Sequence, residues 1–469
     1  MLSMSRRARV LVFLVSTPLV VIVAVGGLLG AVRTPVQQGV PHLRVFEDVV
    51  RAILNAYVEP PNIDKVMDGA MKGLVDGLDP DTSYLTPDEV RAVDAKTPLP
   101  EGDLGLVISR QFYLRIVGVR DGSPAQRAGL QTGDFIRAIN DAATRDMSEF
   151  TGNRLLHGAP GSKVTLLIIR NGNTGDPHPL ELVREVLKTD RAAGRRLPGG
   201  QAYVRVASFG PGVTEELKAA VTATGPAAAG GLIVDLRDVA DGEPEDGIAA
   251  ARLFVKSGTI AIRAGRPTPV GAANGSAGNS GPGAASGRGT APTATPPPQT
   301  TRPTIPDSAV KSLAGPGDGA LTMPVVLLVS NGTAHAAEIF AAALSNNKRA
   351  TLVGEPTAGL AGTQRLIRLP EGHGLMMTTE RYLQSDGIPI HSRGLRPSVL
   401  IEIPTIGFEE QKPTTDPVLE RGIKELTSPT PAAAAGPAPS APGVAPGDRT
   451  PPTPPVGAPS IPRSGAPRN

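Results

Sequence analysis

One short segment of the chain places an imidazole and a carboxylate where they could act together. His335 and Glu338 are three residues apart at the start of a predicted helix, so their side chains would share one face. Such a pair is half of a metal site, but a zinc site needs further ligands at suitable spacing. The sequence contains no cysteine, and His373 and His391 are isolated. We therefore expect no metal and no other cofactor.

Two hydroxyl groups lie beside this pair, at Ser330 and Thr333. A hydroxyl becomes a useful nucleophile only when a base lies within hydrogen-bonding distance. Thr333 is placed to be the N-cap of a helix that we expect over Thr333–Leu344, where its hydroxyl would accept a backbone hydrogen bond. The local pattern therefore favours a structural role for Thr333.

The amino-terminal segment, residues 1–35, has the features of a membrane anchor. Arg6, Arg7 and Arg9 come first. An uncharged, mostly apolar run then extends from Val10 to Val32, and about 20 such residues can span a bilayer. The basic flank favours a cytoplasmic amino terminus. We expect single-pass attachment to a bacterial inner membrane with the bulk of the chain in the periplasm, and cleavage as a signal peptide is the alternative.

Composition separates folded from unfolded parts of the chain. Residues 267–319 and 427–469 are enriched in glycine and proline and have few large apolar side chains. Such stretches cannot bury enough surface to offset the entropy of ordering, so we expect a disordered insertion and a disordered tail. The net charge of +3 is spread without a basic block, which argues against nucleic-acid binding.

Residues 43–98 are predicted to form a small helical domain. Two amphipathic patterns are present, with apolar residues that share a face at Val45, Val49, Ile53 and Tyr57, and at Val66, Ala70, Leu74 and Leu78. A capping box follows, in which Thr86 is the N-cap and Glu89 the third helical residue. This box predicts a third, short helix.

Two further regions differ in their periodicity. Residues 99–188 alternate short β-rich runs with turns, which indicates a strand-rich module. Residues 195–426 carry almost wholly apolar strands between helices, which favours a parallel sheet covered on both faces. The predicted fold class is therefore α+β with several domains.

The order of these parts resembles that of the carboxyl-terminal processing, or tail-specific, serine proteases. The resemblance covers the chain from about Leu43 to Leu426. Its landmarks, in the family's order, are Leu78–Leu85, Gly122–Asp134, Ile233–Arg237, Arg349–Thr357 and Gly394–Pro397. It implies a PDZ domain over residues 99–188 and an α/β, crotonase-like protease core over residues 195–426.

The resemblance also implies a serine nucleophile and a lysine base, but this chain has neither at the matching positions. The serine position falls on His335 and the lysine position on Leu360. Glu338 and Gln364 match the pattern around these two positions, so the alignment needs no gap. Leucine cannot accept a proton, and His335 has no identified acid–base partner.

An element of the family's oxyanion hole is altered as well. The family has Asn-Pro-Gly-Gly after the Asp-Leu-Arg strand, and this chain has Val239-Ala240-Asp241-Gly242. A carboxylate at Asp241 would oppose the negative charge that develops during acyl transfer.

The PDZ assignment implies a peptide-binding site. A loop of backbone N–H groups can bind a terminal carboxylate, while a neighbouring strand edge accepts the peptide as an extra strand. By similarity, this loop is Asp103–Leu106. The residues predicted to bind a peptide are Leu104, Gly105, Leu106 and Ile108.

Together these observations predict a membrane-tethered relative of the proteases that binds peptide or protein C-termini without cleaving them. One alternative is an active serine-type endopeptidase that uses residues outside the family pattern. Another is a purely structural envelope protein. The sequence does not indicate the client protein or the oligomeric state.

Overall fold

The structure, a computed structural model, describes residues 35–145, 147–170, 177–187, 191–225, 230–266, 305, 308–404, 406–408, 410 and 413–427. The predicted anchor run from Val10 to Val32, most of the predicted insertion and the tail after Thr427 lie outside these residues. Within the described ranges, no helix has both the length and the apolar character needed to cross a bilayer.

Helices and strands alternate along the described chain. The helices are α1 Pro35–Ala56, α2 Ile63–Asp76, α3 Pro87–Asp94, α4 Pro124–Arg127, α5 Glu149–Leu156, α6 Val213–Ala223, α7 Pro244–Ala251, α8 Ala336–Asn346 and α9 Pro417–Thr427. The strands are β1 Ser83–Leu85, β2 Gly102–Asp103, β3 Leu106–Gln111, β4 Tyr113–Val119, β5 Phe135–Ile139, β6 Ala142–Ala143, β7 Lys163–Ile169, β8 His178–Val183, β9 Glu185–Val186, β10 Ala192–Arg196, β11 Ala202–Val206, β12 Leu232–Asp235, β13 Thr259–Gly265, β14 Val310–Leu313, β15 Val325–Val329, β16 Ala350–Gly354, β17 Gly362–Arg368, β18 Gly374–Leu383 and β19 Val399–Leu400.

The amino-terminal helices expose much of their apolar surface. Val45, Val49 and Tyr57, which share the predicted apolar face of α1, are each more than half exposed. The helix α3 forms as predicted, because Thr86 and Glu89 make both hydrogen bonds of the capping box. Residues 43–98 are not wholly helical, since β1 pairs with β18 of a distant part of the chain.

The strand-rich module is an antiparallel sheet in the order β3-β4-β5-β7-β8, with β6 beside β5. Its core is formed by inward-facing aliphatic side chains of the strands, among them Leu114, Ile136 and Leu166, and by Leu156 of α5. Four of its strands agree with the predicted β-rich runs. The helix α5 and the strand β8 were not predicted, because Gly152 interrupts the helical pattern and Pro179 the strand pattern.

The carboxyl-terminal domain contains the expected parallel sheet, in the order β10-β11-β12-β15-β16-β19. The four strands from β11 to β16 are parallel neighbours. Both faces of the sheet are covered: Leu232 and Val234 pack against α6, α7 and α8, while Ile233 packs on the other face with Val418 of α9. The prediction of a doubly covered parallel sheet is therefore confirmed.

A second sheet brings together strands that are far apart in sequence, in the order β1-β18-β13-β14, with β17 also beside β18. The strand β14 lies within the predicted insertion 267–319, so the carboxyl-terminal end of that prediction is wrong. Val310–Leu313 is too short to stand out from the Gly- and Pro-rich composition around it, yet it pairs along β13. Gly319 N also donates to Arg252 O at 2.8 Å.

Candidate functional site

His335 lies at a sharp turn between β15 and α8. Its backbone has φ 49° and ψ −119°, a left-handed conformation that costs a non-glycine residue on the order of 1–3 kcal/mol. The turn places the half-buried His335 side chain at the amino terminus of α8. A strained turn from strand to helix is a common way to present a nucleophile. At this turn the chain presents an imidazole at the amino terminus of α8.

The imidazole of His335 is uncharged at neutral pH. Burial lowers its pKa to about 4, and the positive charge of neighbouring His391 acts in the same direction. A hydrogen bond with the backbone of Leu360 opposes these two effects. The side chain at 335 therefore lies beside position 360, as the family resemblance implies.

The helix begins later than we expected. Residue 335, not Thr333, is the N-cap of α8. The hydroxyl of Thr333 instead donates to Leu236 O at 2.8 Å and accepts from Ser330 N at 3.0 Å. The Thr333 hydroxyl therefore connects the turn to Leu236, the residue after β12. The Ser330 hydroxyl donates to Asp238 Oδ1. Among the described residues, the Thr333 hydroxyl has no base beside it, whereas the base beside the Ser330 hydroxyl is the Asp238 carboxylate.

Leu360 is buried in a small apolar cluster between the two main domains. Its neighbours in this cluster are Val117 of β4, Ala240 and Ala334. Only 5% of the Leu360 residue is exposed. The position that would hold the family's base is therefore an apolar packing position.

Glu338 maintains the loop that carries Leu360. Its Oε1 accepts from Gly359 N at 2.7 Å and from the hydroxyl of Thr357, and its Oε2 accepts from Leu360 N at 2.8 Å. The Glu338 side chain is fully buried, and burial raises its pKa to about 7 although these hydrogen bonds favour the ionised form. The loop therefore keeps its shape without a lysine.

Asp241 does not stand free beside the centre. Its Oδ2 accepts from Arg120 Nη2 at 2.7 Å, and its Oδ1 accepts from Phe209 N at 3.1 Å. Burial raises the pKa of Asp241, and the charge and hydrogen bond of Arg120 oppose that rise. Because Arg120 belongs to the strand-rich module, the altered oxyanion-hole segment is also a contact between domains.

The strand-rich module is held against the sheet domain by further contacts. Thr132 Oγ1 donates to Asp238 Oδ1 at 2.9 Å. The backbones approach so closely that a Cβ atom on Gly118 would lie 2.9 Å from Ala240 Cβ. A cleft of about 630 Å³ remains between the domains, and neither His335 nor Leu360 lines it.

Gln364 points away from this contact, toward the turn before β1. Its Nε2 donates to Asp81 O at 2.6 Å. The same turn carries Asp79, whose Oδ2 lies 3.9 Å from His391 Nε2. Burial would lower the pKa of His391, but the hydrogen bond and charge of Asp79 outweigh it and raise that pKa.

Asp81 completes a group of buried titratable side chains that sequence reasoning missed. Burial raises its pKa to about 8, and the charge of Glu149 at the start of α5 adds to the rise. The charges of His391 and Glu338 also act on Asp81, so the group lies between the PDZ-like module and the family's catalytic positions. Asp79 and His391 lie close together in space but far apart in sequence, so no local sequence pattern indicates their proximity.

The predicted peptide-binding residues lie together at one end of β3. Leu104, Leu106 and Ile108 contribute their side chains to the core of the module. Only their backbone groups could therefore serve a ligand. Gly105 takes a left-handed conformation, with φ 79°, and a Cβ atom there would collide with Ser123 Cβ at 2.3 Å.

Comparison with known proteins decides the family. A model of peptidase family S41 matches residues 200–401, and a PDZ domain model matches residues 115–170. Residues 200–401 therefore form a domain of peptidase family S41. In this S41 protein, the family match spans most of the parallel sheet, His335, Glu338 and Leu360, while the PDZ match lies within the strand-rich module.

Relatives of similar length are carboxyl-terminal processing proteases. The S41 protein is 29% identical over 356 residues to such a protease from Synechocystis sp., covering 74% of each chain. It is 25% identical over 364 residues to a carboxy-terminal-processing protease from Bartonella bacilliformis, covering 76% of this chain and 75% of the relative. With the carboxy-terminal processing protease CtpA of Bacillus subtilis, identity is 27% over 354 residues, and coverage is 75% of this chain and 67% of the relative.

A solved structure shares the fold. The photosystem II D1 C-terminal processing protease superimposes with a TM-score of 0.56 at 23% identity, covering 82% of this chain and 97% of that chain. The predicted combination of a PDZ domain with an S41 protease fold is confirmed.

Proposed function

We propose that this S41 protein binds C-terminal or extended polypeptide segments through its PDZ domain and does not cleave them. The observation that carries the proposal is the environment of Leu360. A buried leucine packed against Val117 and Ala240 cannot take a proton from a nucleophile, whatever residue supplies that nucleophile. General-base activation at the family's site would therefore be lost.

Two neighbouring features support the same conclusion. His335 has no basic partner of the kind that activates a nucleophile, and its own pKa of about 4 makes it a weak base. The altered segment at Asp241 brings a carboxylate, held by Arg120, to the place where the family supplies a hydrogen-bond donor.

Proteolysis is the second candidate function. The strained backbone at His335 and the loop bonded to Glu338 are both features that a working site needs. An active enzyme would have to use other groups, such as Asp79 and His391, whose side chains approach to 3.9 Å.

The experiment that separates the two candidates is a cleavage assay with a matched gain-of-function variant. We expect full-length protein in detergent to leave an unfolded substrate protein intact, and to bind peptides with apolar ends. The double variant His335→Ser, Leu360→Lys provides the comparison, because it restores both residues that the family implies. Cleavage by the wild-type protein that survives His335→Ala but is lost with His391→Ala would establish the second candidate.

We also propose that the protein is tethered to a bacterial inner membrane and faces the periplasm. The proposal is supported by Arg6, Arg7 and Arg9 and by the apolar run from Val10 to Val32. The full-length chain should resist alkaline extraction from membranes, and a chain starting at Val36 should be extracted. Release of the full-length chain would contradict the anchor.

A further inference from the structure

In the loop that would bind the terminal carboxylate of a ligand, two N–H groups are already bonded to the side-chain carboxylate of Asp103. Asp103 Oδ1 accepts a hydrogen bond from Leu104 N at 2.6 Å and from Gly105 N at 3.0 Å. These two N–H groups belong to the loop that the PDZ assignment makes responsible for the ligand's carboxylate. Asp103 thus provides from within the chain what a free C-terminus would provide from outside.

A free C-terminus would have to compete with this side chain. Each backbone N–H offers a single proton, so a ligand carboxylate can reach those donors only if Asp103 leaves them. Even then, the two carboxylates would lie close together and repel each other, and repulsion is strong at partly buried sites. Asp103 is such a site, with 17% of its side chain exposed.

Neighbouring residues position Asp103 without forming a close salt bridge to its carboxylate. Its strand β2 pairs with β9, so that Asp103 lies opposite Glu185. Glu185 is itself paired with Arg127 at 2.6 Å, and His157 Nε2 approaches Asp103 Oδ1 only to 3.7 Å. The Oδ2 atom of Asp103 takes part in neither loop hydrogen bond, so it can accept from an N–H group of a ligand.

An extended segment has a place to bind beside this loop. The strand β3 lies at the edge of its sheet, with β4 as its one strand neighbour among the described residues. At the far end of β3, Arg110 N donates to Pro80 O at 3.2 Å. The edge of β3 therefore already pairs with backbone from outside its own sheet at that end. A bound segment would add there as a further strand, and backbone pairing does not require a free terminus.

We propose that Asp103 makes the PDZ domain selective for internal polypeptide segments over free C-terminal carboxylates. This inference rests on the proposed function, because it specifies the ligand of the same binding site. An internal segment continues past the loop, and its next N–H group can donate a hydrogen bond to Asp103 Oδ2. A terminal carboxylate offers only acceptors and a like charge.

The test compares one short fluorescent peptide with an apolar end in two forms, the free acid and the C-terminal amide. Binding to the full-length protein in detergent is followed by fluorescence anisotropy. Two variants separate charge from occupancy: Asp103→Asn keeps an acceptor oxygen without the charge, and Asp103→Ala removes both. Asp141→Ala is the control, because Asp141 is an exposed acid in the turn between β5 and β6 of the same domain.

We expect the wild-type protein and the Asp141→Ala control to bind the amide about tenfold more tightly than the acid. Asp103→Ala should tighten acid binding by about tenfold without tightening amide binding, and Asp103→Asn should give an intermediate value. Retained amide binding by Asp103→Asn, which keeps an acceptor oxygen for the ligand N–H group, also shows that the groove is intact.

Other results would overturn the inference in distinguishable ways. Wild-type protein that prefers the acid, with no change on Asp103→Ala, rejects the role of Asp103 but leaves peptide binding by the PDZ domain in place. Equal binding of both forms by every variant does the same. Absence of binding to any form by any variant overturns the proposed function together with this inference.

Discussion

Two loops of this protein have a carboxylate bound to their backbone N–H groups, and the two carboxylates differ in origin and burial. Glu338 reaches the loop before Leu360 from α8 and is fully buried. Asp103 bonds to the two residues that directly follow it and is partly exposed. In the first loop, the carboxylate holds the segment in which the resemblance places Leu360 at the base position. In the second, it lies where a ligand would arrive.

Because Glu338 is fully buried, its substitution should cause the largest loss of stability. Replacing it with alanine leaves the N–H groups of Gly359 and Leu360 buried and unpaired, and each unpaired donor costs about 1–3 kcal/mol. We expect Glu338→Ala to lower the free energy of unfolding by about 3 kcal/mol or more, measured by urea denaturation. Glu338→Gln is the matched control and should lose much less, because it keeps one acceptor. A loss below about 1 kcal/mol for alanine would show that the loop does not depend on Glu338.

Packing at Leu360 should give the next largest effect. Truncation of a buried leucine costs about 2–5 kcal/mol, and the small cluster around Leu360 places it near the lower limit. We expect Leu360→Ala to lower the free energy of unfolding by about 2 kcal/mol. Leu313→Ala, at a leucine that is 57% exposed, should change it by less than about 0.5 kcal/mol. Equal effects of the two substitutions would mean that Leu360 is not a packing position.

The buried carboxyl groups near the first loop should make stability depend on pH. Burial raises the folded-state pKa from 3.8 to about 8 for Asp81 and from 4.5 to about 7 for Glu338, so the folded protein binds more protons than the unfolded chain from about pH 5 up to those values. Stability should therefore fall as pH rises through 7 to 8, by up to about 1.4 kcal/mol per pH unit for each group. His335 does not oppose this, because its pKa is lowered to about 4 and it is neutral throughout that window.

The check is the slope of unfolding free energy against pH. Asp81→Asn should flatten the slope around pH 8, whereas Phe254→Leu, a core substitution without a titrating group, should lower stability by a similar amount at every pH. A slope that Asp81→Asn leaves unchanged would contradict burial of an uncharged Asp81.

The smallest effect on stability is expected at Asp103. The Asp103 side chain is partly exposed, so water can enter the space that its carboxylate leaves and bond to the two N–H groups, which reduces the penalty for an unpaired donor. We expect Asp103→Ala to lower the free energy of unfolding by less than about 1 kcal/mol, measured under the same conditions as Glu338→Ala. A loss as large as that of Glu338→Ala would remove the distinction between the two loops.

Local chemistry in the sequence was enough for several elements. The capping box at Thr86 and Glu89 needs only residues within one helical turn. The apolar strand around Ile233 reports burial on both faces, which is the condition of a central parallel strand. In the site, the identities at 335 and 360 were read from their own segments, and the structure places these segments side by side.

The features that were missed depend on contacts across the chain. Thr333 does not cap α8, because its hydroxyl bonds to Leu236, the residue that follows β12. The strand β14 gains its hydrogen bonds from β13, on the other side of a Gly- and Pro-rich stretch. The nearness of Asp79 to His391 results from the closing of the second sheet. The hydrogen bonds of Asp103 are local, and Asp-Leu-Gly was a signal for such a turn.

The pairing of β1 with β18 has a consequence for the order of folding. The PDZ domain is continuous in sequence and can fold as soon as its own residues have left the ribosome. The sheet that contains β1 cannot close until Gly374–Met376 has been synthesised, because Ser83–Leu85 pairs with those residues. Contacts between such distant segments slow folding. During synthesis, the PDZ domain should therefore fold before β1 can pair with β18.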